Sequence, residues 1–271
     1  MKELEIIQKF EKDFIAAGKL AKKMRASATS EQKHTSGVKE IDIVTSADLA
    51  VQEYILERIS KSKILKSCEL LAEEETKFTE GFAKKSNYVI TLDPIDGTYF
   101  YASGKKMYKV IVGINDKKNP LYTFWYCPEY DWGMKIVGKK CEFFGKKPKL
   151  KLKTKIPPKA ITYGIYGENG DIKKLYPEIY KKLKNEGYNF VERKEISDEP
   201  SSTGQFFALS DQFAGFFCGN STGSAVDILV ALHFGMANGY EIIRSIDISK
   251  PVKTKHGGIG CYEGYYLILK K

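Results

Sequence analysis

The chain has 271 residues, of which 42% are hydrophobic and 29% charged, and this globular composition excludes a disordered protein. Its apolar runs are too short for a transmembrane helix, and residues 1–5 lack the pattern of a signal peptide. The five cysteines are scattered and form no CxxC pair, which favours reduced thiols. A cytoplasmic protein without membrane association is therefore expected. The net charge of +10 is compatible with a nucleic-acid binder, but also with a lysine-rich protein that attracts small phosphorylated molecules.

The first half of the chain predicts two helices followed by strands. Apolar residues near helical spacing predict an amphipathic helix over residues 1–25, and a second helix is predicted over about 45–61. The Ser-, Thr- and Lys-rich segment 26–41 between them predicts a loop. The strands that follow, of which the last four predict an antiparallel meander, are expected at 68–74, 87–93, 109–115, 119–127, 133–138 and 141–145.

The longest basic segment, residues 146–159, alternates lysine with Pro, Leu and Ile. This pattern predicts an exposed strand edge that resists aggregation. The segment contains no aromatic residue that could stack on a base, so nucleic acid is a disfavoured partner.

The second half of the chain predicts helices that alternate with strands. Strands are expected at 160–166, 188–195, 212–219 and 264–270, and helices at about 172–186, 202–211 and 224–239. Together with the preceding block of strands, this order predicts an α+β layered sandwich of two subdomains, residues 1–155 and 156–271. The cleft between the subdomains is the expected place for a functional site.

Three groups of acids lie in or beside apolar segments: Glu73–Glu75, the pair Asp93 and Asp96, and Asp227. Burying an unpaired carboxylate is costly, and two carboxylates about 4 Å apart repel by roughly 4 kcal/mol at an effective dielectric of about 20. Several buried carboxylates together therefore require cations. With oxygen ligands and no histidine nearby in the sequence, the expected ions are Mg²⁺ or Mn²⁺.

The turn between the two aspartates of the second group supports this interpretation. Pro94 fixes its own backbone and removes an N–H donor, and Ile95 leaves its carbonyl available to the same ion. Gly97 lets backbone N–H groups approach a ligand closely, and Thr98 can begin a helix whose N-terminus binds phosphate. Acids for a metal beside amides for phosphate predict metal-assisted phosphoryl hydrolysis.

Several segments carry the motifs of one known superfamily. The segment LDPIDGT, residues 92–98, matches the specific signature D-P-I-D-G-T. With this motif the sequence resembles the lithium-sensitive inositol monophosphatase superfamily. That superfamily includes inositol monophosphatases, phosphoadenosine-phosphate nucleotidases and fructose-bisphosphatases. The other resembling segments, in the family's order, are DIVTSAD (42–48), LAEEE (71–75), VGKKCEFFGKKP (137–148), SSTGQFFALSDQFAGFF (201–217) and VDILVALHFGMANG (226–239).

The resemblance implies a layered αβαβα sandwich and a magnesium-dependent phosphomonoester hydrolase that acts on a small phosphorylated sugar, inositol phosphate or nucleotide. It also implies two or three Mg²⁺ ions, with Mn²⁺ as an alternative. The ligands of these ions would be Glu73, Asp93, the carbonyl of Ile95, Asp96 and Asp227. A water molecule would attack phosphorus in line, without a covalent enzyme intermediate.

The resemblance also assigns roles around these ligands. Thr98 and Glu73 would position and deprotonate the attacking water, with Asp93 as a further catalytic residue. Asp48 and Glu74 would lie behind the ligands, or Asp48 would form a weak metal site. The implied substrate-binding residues are Gly97 and Thr98, through their amides, and Ser202, Thr203 and Asn220.

The chain departs from the superfamily pattern on the substrate side. The differing positions are Val226 for a tryptophan, Leu229–Ala231 for Ala-Ala-Gly, Phe100 for an asparagine, and Asn220 for the acid that contacts inositol hydroxyls. These changes leave the predicted metal ligands intact. A catalytically weakened member that binds phosphate or nucleic acid is therefore an open alternative. A homodimer is also left open, because the superfamily is often dimeric.

Simpler roles for some of the acids are left open. Asp48 follows Thr45 by three residues and fits a capping box, as Asp227 does with Ser224. At least one of Glu73–Glu75 is expected in a solvated loop, and the first is favoured as the ligand.

A serine hydrolase is a remote alternative. The segment GNSTG, residues 219–223, fits the nucleophile-elbow pattern with Ser221, and Asp247 and His256 follow in the required order. The short tail after Ser221 leaves little room for the further strand–helix units that such a fold needs. A glycine-rich helix start capped by Ser or Thr accounts for the same segment.

Overall fold

The structure of the chain is a computed structural model, and it describes residues 1–32, 43–149, 152–163, 172–196, 211–219, 225–250, 262 and 264–270. The α-helices in these ranges are α1 (Lys2–Ile7), α2 (Glu11–Met24), α3 (Ser46–Ile59), α4 (Lys63–Lys66), α5 (Thr98–Ala102), α6 (Ile172–Leu175), α7 (Pro177–Asn185), α8 (Arg193–Ile196) and α9 (Ala225–Ala237). The strands are β1 (Ser30–Gln32), β2 (Ile43–Thr45), β3 (Glu69–Ala72), β4 (Val89–Asp96), β5 (Lys109–Asn115), β6 (Pro120–Cys127), β7 (Trp132–Val137), β8 (Lys140–Phe144), β9 (Ala160–Tyr163), β10 (Asn189–Glu192), β11 (Gly215–Gly219), β12 (Glu241–Arg244) and β13 (Tyr265–Leu269).

In the part of the chain that the structure describes, the larger sheet has six strands in the order β3-β4-β5-β6-β7-β8. Strand β3 runs parallel to β4, and every other neighbouring pair is antiparallel. The four strands predicted as a meander are confirmed as β5 to β8. Strands β5 and β6 are buried along nearly their whole length, because helices cover both faces of the sheet.

Within the described residues, the second sheet has five strands in the order β10-β9-β11-β13-β12. Strand β9 lies between two parallel neighbours, whereas β13 pairs antiparallel with both β11 and β12. Parallel neighbours require a crossover connection, and α6 and α7 lie between β9 and β10 in the chain.

The layers of the fold follow from which apolar faces pack together. Helices α2 and α3 contribute Phe14 and Val51 to one buried core with the larger sheet. Helix α9 is buried on nearly all sides, as expected for a helix that is apolar all round, and shares a second core with both sheets. Helices α6 and α7 pack Ile172 and Leu183 against the outer face of the second sheet. The predicted α+β sandwich with αβαβα layers is confirmed.

Several element predictions need correction. The helix predicted over 1–25 is interrupted by a 3₁₀ turn at Gln8–Phe10. The helix predicted over 172–186 is broken at Tyr176, because Pro177 disfavours a helical conformation for the residue before it and begins α7. The strand predicted over 188–195 ends at Glu192 and continues as α8.

The polar segment predicted as a loop over 26–41 contains β1, which pairs with β2, and β12 was also missed. The basic segment 146–159 is largely exposed, as predicted, but none of its described residues belongs to a strand. The helix predicted over 202–211 lies outside the described residues except for Asp211. The subdomain division at residues 155 and 156 stays a prediction.

Two predictions from composition concern membranes and disulfides. None of the described helices has the length and apolar character needed to cross a bilayer. Among the described cysteines, Cys68, Cys127, Cys141 and Cys218, none forms a disulfide.

His233 on α9 joins this central helix to the larger sheet. The side chain is fully buried, its Nδ1 lies 2.8 Å from Thr123 Oγ1, and its Nε2 lies 2.8 Å from the Gly138 carbonyl oxygen. A neutral ring satisfies both contacts, because Nε2–H donates to the carbonyl and Nδ1 accepts from the hydroxyl. Burial lowers the pKa of His233 to about 4.

We expect the contribution of His233 to the free energy of unfolding to be complete above pH 6.5 and to be lost as the pH falls toward about 4. The pKa in the fold lies below the ordinary value, so the unfolded chain takes up the proton first. The total loss through this window is about 3 kcal/mol. Replacing His233 by glutamine should reduce the change in the free energy of unfolding between about pH 7 and 4.5, measured by urea unfolding at the two pH values. A wild-type advantage over the variant that is equal at both pH values would contradict the expectation.

Candidate metal centre

A bulge at the end of β4 places two aspartates on one face of the larger sheet. Asp93 lies opposite Ile111 and Asp96 lies opposite Lys109, so three steps along β4 match two along β5. Since Ile111 and Lys109 are two residues apart and share a face of the sheet, their partners share it too. The bulge contains Pro94, which has no N–H to donate to the strand pairing. Both aspartates are buried, with 4% and 7% of their surface exposed.

Glu73 lies beside Asp93 because β3 and β4 run parallel. Its backbone N–H donates to the Leu92 carbonyl at 3.0 Å, one residue beyond the last strand pair. The Glu73 carboxyl lies within hydrogen-bond reach of the Asp93 carboxyl. Asp227, in the first turn of α9, is close enough to repel Asp93 as well. We call Glu73, Asp93 and Asp227 the acid cluster.

The electrostatics of the acid cluster indicate a site for cations. Burial, then the Glu73 charge and hydrogen bond, then Asp227, raise the pKa of Asp93 well above its usual range, while Lys109 opposes them. The Oδ1 atom of Asp93 is buried and has no hydrogen-bond partner among the described residues. The three acids offer the oxygen atoms that Mg²⁺ or Mn²⁺ prefers, and a bound divalent cation would relieve the repulsion of Asp93 by Glu73 and Asp227.

Asp48 connects the start of α3 to the same region. Its Oδ2 accepts hydrogen bonds from the Thr45 backbone N–H at 2.8 Å and hydroxyl at 2.6 Å, so the capping box is present. Its Oδ1 accepts from the Thr98 hydroxyl at 3.0 Å. Burial, and secondarily the charge of Glu73, raise the pKa of Asp48 to about 7. Asp48 therefore caps a helix and also contacts a predicted catalytic side chain.

Glu74 is a second glutamate of the first acid group that faces inward. One carboxylate oxygen from each of Asp48, Glu73 and Glu74 lies within 4.8 Å of the others. The buried Gln52 on α3 fixes the backbone here, accepting from the Glu74 N–H at 3.0 Å and donating to its carbonyl. Glu75 is exposed, as predicted for one member of this group.

Gly97 and Thr98 follow the bulge directly. Gly97 has φ of +89°, a left-handed conformation that favours glycine, and it is the N-cap residue of the five-residue α5, which begins at Thr98. The Thr98 hydroxyl lies 3.0 Å from both the Asp48 carboxylate and the Ile95 carbonyl. Since a hydroxyl has one proton to donate, its oxygen lone pairs remain available to accept a hydrogen bond from water.

The structure thus brings together in one region six of the predicted site residues: Asp48, Glu73, Glu74, Asp93, Thr98 and Asp227. Asp96 forms an ion pair with Lys109. The predicted residues Ser202, Thr203 and Asn220 lie outside the described residues, as do Ser221 and His256 of the serine-hydrolase alternative. The roles of all these residues, including Ile95 and Asp96 as metal ligands, stay predictions.

Sequence reasoning missed Lys109 and Gln52. Lys109 is fully buried and its Nζ forms an ion pair with Asp96 Oδ2. Lys109 is the single charged residue of the apolar segment KVIVGIN, and a lysine in such a segment indicates an ion pair with a buried carboxylate. Gln52 gave no such signal, because a glutamine on a helix is usually solvated.

Four of the positions that depart from the superfamily pattern, Val226 and Leu229–Ala231, belong to the core. Val226 and Leu229 are buried with 1% and 4% of their surface exposed, in the core that α9 shares with both sheets. The bulkier side chains therefore fill the space between the layers. Phe100 is half-buried beside Tyr99, with ring centroids 5.3 Å apart.

Comparison of the sequence with known proteins finds one family. The model of the inositol monophosphatase family matches residues 3–190. A fructose-1,6-bisphosphatase/inositol-1-monophosphatase from Aquifex aeolicus is 28% identical over 170 residues, which are 62% of this chain, and the chain spans 61% of that relative's length.

Solved structures share the fold at low sequence identity. An IMPase from Thermotoga maritima has a TM-score of 0.64 at 13% identity, covering 98% of this chain and 92% of its own. A staphylococcal IMPase complexed with products has a TM-score of 0.64 at 16% identity, covering 98% and 90%. An IMPase/NADP phosphatase complexed with Mg²⁺ and phosphate has a TM-score of 0.61 at 16% identity, covering 99% and 92%. From the family match over residues 3–190, the chain belongs to the inositol monophosphatase family.

Proposed function

We propose that the chain is a magnesium-dependent phosphomonoester hydrolase. The observation that carries the proposal is the acid cluster, in which Glu73 follows β3 and Asp227 lies in α9, and the charges of both repel the buried Asp93 in β4. Such an arrangement costs stability unless a cation binds to it. Membership of the inositol monophosphatase family supports the same activity.

Each group of the site has a role in this proposal. Glu73, Asp93 and Asp227 would hold Mg²⁺, which when bound supplies charge stabilisation for the phosphate and makes a nearby water more acidic. Glu73 accepts the proton of the attacking water. The Thr98 oxygen accepts a hydrogen bond from that water, because its own proton is already directed to Asp48 or Ile95. The backbone amides of Gly97 and Thr98 bind the phosphate.

The proposed substrates are small phosphorylated sugars, inositol phosphates and nucleotides. Support comes from related proteins, whose structures include one complexed with NADP and one with 2′-AMP bound. The net charge of +10 favours such anions by raising their concentration near the surface.

The test is a screen for release of inorganic phosphate in the presence of Mg²⁺. The panel contains inositol 1-phosphate, fructose 1,6-bisphosphate, phosphoadenosine phosphate, 2′-AMP and NADP. We expect release from at least one of them, with loss of release after chelation. Absence of release from the whole panel, together with salt-dependent RNA binding, would favour the binding-protein alternative. Labelling of Ser221 by a serine probe, with activity that survives chelation, would establish the serine hydrolase.

Replacing Gly97 by alanine should destabilise the fold by about 1 kcal/mol, because alanine is strained in the left-handed conformation that glycine adopts freely. The same substitution should lower the rate of phosphate release at least about tenfold, because the amides proposed to bind phosphate would shift. Gly104 offers a matched control, since it has a φ of +78° and open space around an added Cβ. The Gly104→Ala variant should show a similar stability loss with normal release. Equal release by the two variants would count against a role of the Gly97 backbone in binding phosphate.

A further inference from the structure

Lys109, the first residue of β5, is a fully buried lysine at the edge of the candidate metal centre. Its Nζ forms an ion pair with Asp96 Oδ2. The two residues are also direct partners in the antiparallel pairing of β4 and β5. The position of the ammonium is therefore fixed by the register of two buried strands.

The ammonium also acts on neighbouring groups of the sheet. Its charge lowers the pKa of Asp93, against the effects of burial, Glu73 and Asp227. It acts in the same direction on Cys127 at the end of β6, whose pKa burial raises to about 12. Because it acts on Asp93 in β4 and on Cys127 in β6, the buried Lys109 ammonium lies on the covered face of the larger sheet, close to the acid cluster.

An ammonium at this place competes with a metal ion. It is a compact cation with three N–H donors, and it already binds an oxygen of Asp96. A divalent ion on that carboxylate would have to approach a buried positive charge, which repels it strongly in a place that water does not screen. Asp96 is thereby neutralised by the chain itself.

We propose that the Lys109 ammonium takes the place of one divalent cation beside Asp96, so that the site binds one Mg²⁺ fewer than its carboxylates would otherwise hold. This inference deepens the proposed function and rests on it. Lys109 is then a positioning residue that acts through Asp96, while Glu73, Asp93 and Asp227 remain the ligands of the divalent ion.

The test counts Mn²⁺ ions bound per chain, by calorimetry and by the Mn²⁺ resonance signal, with Mn²⁺ as the probe. In Lys109→Met, the Asp96 carboxylate no longer faces the buried ammonium, and the chain should bind one ion more than the wild type. In the double variant Lys109→Met/Asp96→Asn, the count should return to the wild-type value. The Lys109→Arg variant keeps the cation and should bind the wild-type number.

The outcomes separate this inference from the proposed function. An equal count in the wild type and a folded Lys109→Met would overturn the inference alone. A double variant that binds one ion fewer than the wild type would do the same, because Asp96 would then be a ligand in the presence of Lys109. This comparison is informative even if Lys109→Met fails to fold, since the double variant buries neither charge. A wild type without saturable Mn²⁺ binding would overturn both.

Discussion

Replacing Asp93 by asparagine is expected to lower the rate of magnesium-dependent phosphate release by about a thousandfold or more. Asp93 lies at the centre of the acid cluster, within hydrogen-bond reach of Glu73 and close to Asp227. Asparagine keeps the shape of the side chain but removes the negative charge that would bind the divalent ion. The measurement is the initial rate of phosphate release on the best substrate of the panel, at saturating Mg²⁺.

The same substitution should raise the melting temperature of the metal-free protein. Because the pKa of Asp93 in the fold lies above its ordinary value, the ionised side chain destabilises the fold at neutral pH. Removing this charge relieves the penalty, and each kcal/mol gained corresponds to about 2–4 °C in a chain of this size. Conversely, Mg²⁺ should stabilise the wild type by binding to the folded state and stabilise the variant much less.

A control for the Asp93 variant is Asp211→Asn. The Asp211 side chain is 92% exposed and its substitution changes the net charge by the same amount. We expect normal phosphate release and a normal response of the melting temperature to Mg²⁺. An Asp93→Asn protein that resembles this control in both measurements would refute the assignment of Asp93.

The second large effect is expected for Thr98→Val, which should lower kcat by about a hundredfold to ten-thousandfold with little change in KM. Valine has nearly the shape of threonine but lacks the hydroxyl that would orient the attacking water. Asp48 keeps its two hydrogen bonds from Thr45, so the start of α3 should remain folded.

Thr98→Ser is the matched variant, because it keeps the hydroxyl and removes only a methyl group. We expect it to retain most of the wild-type kcat. Thermal melting of both variants checks that the folds are intact. If Thr98→Ser were as inactive as Thr98→Val while both melt normally, the hydroxyl would not be the group that matters, and the proposed role of Thr98 would be wrong.

The elements around the site were predictable because their local signals agree with the tertiary structure. The strand ending at Asp93 and the helix containing Asp227 are both strongly apolar segments with acids at their ends. An acid in such a segment indicates a buried site whatever the connection of the strands. The capping box at Thr45 and Asp48 was equally readable, since it depends on residues only three positions apart.

The partners that were missed depend on register rather than on local pattern. Lys109 meets Asp96 only because the bulge shifts the pairing of β4 and β5, and nothing in the sequence fixes that register across the intervening α5. Gln52 meets the Glu74 backbone from a different element, 22 residues away. The break at Tyr176 has a different cause. Pro177 is a local signal for a helix start, but the prediction over 172–186 gave more weight to the helical spacing of the apolar residues.

The central claim is that phosphate release requires a divalent ion held by Glu73, Asp93 and Asp227. The most direct test strips the wild type of divalent ions with EDTA, restores Mg²⁺ stepwise, and records phosphate release on the best substrate, with Asp93→Asn measured in parallel. We predict that the wild-type rate rises from background to saturation while the variant stays at background over the same range. A wild-type rate that responds neither to EDTA nor to Mg²⁺, or a variant that follows the wild-type curve, would contradict the claim.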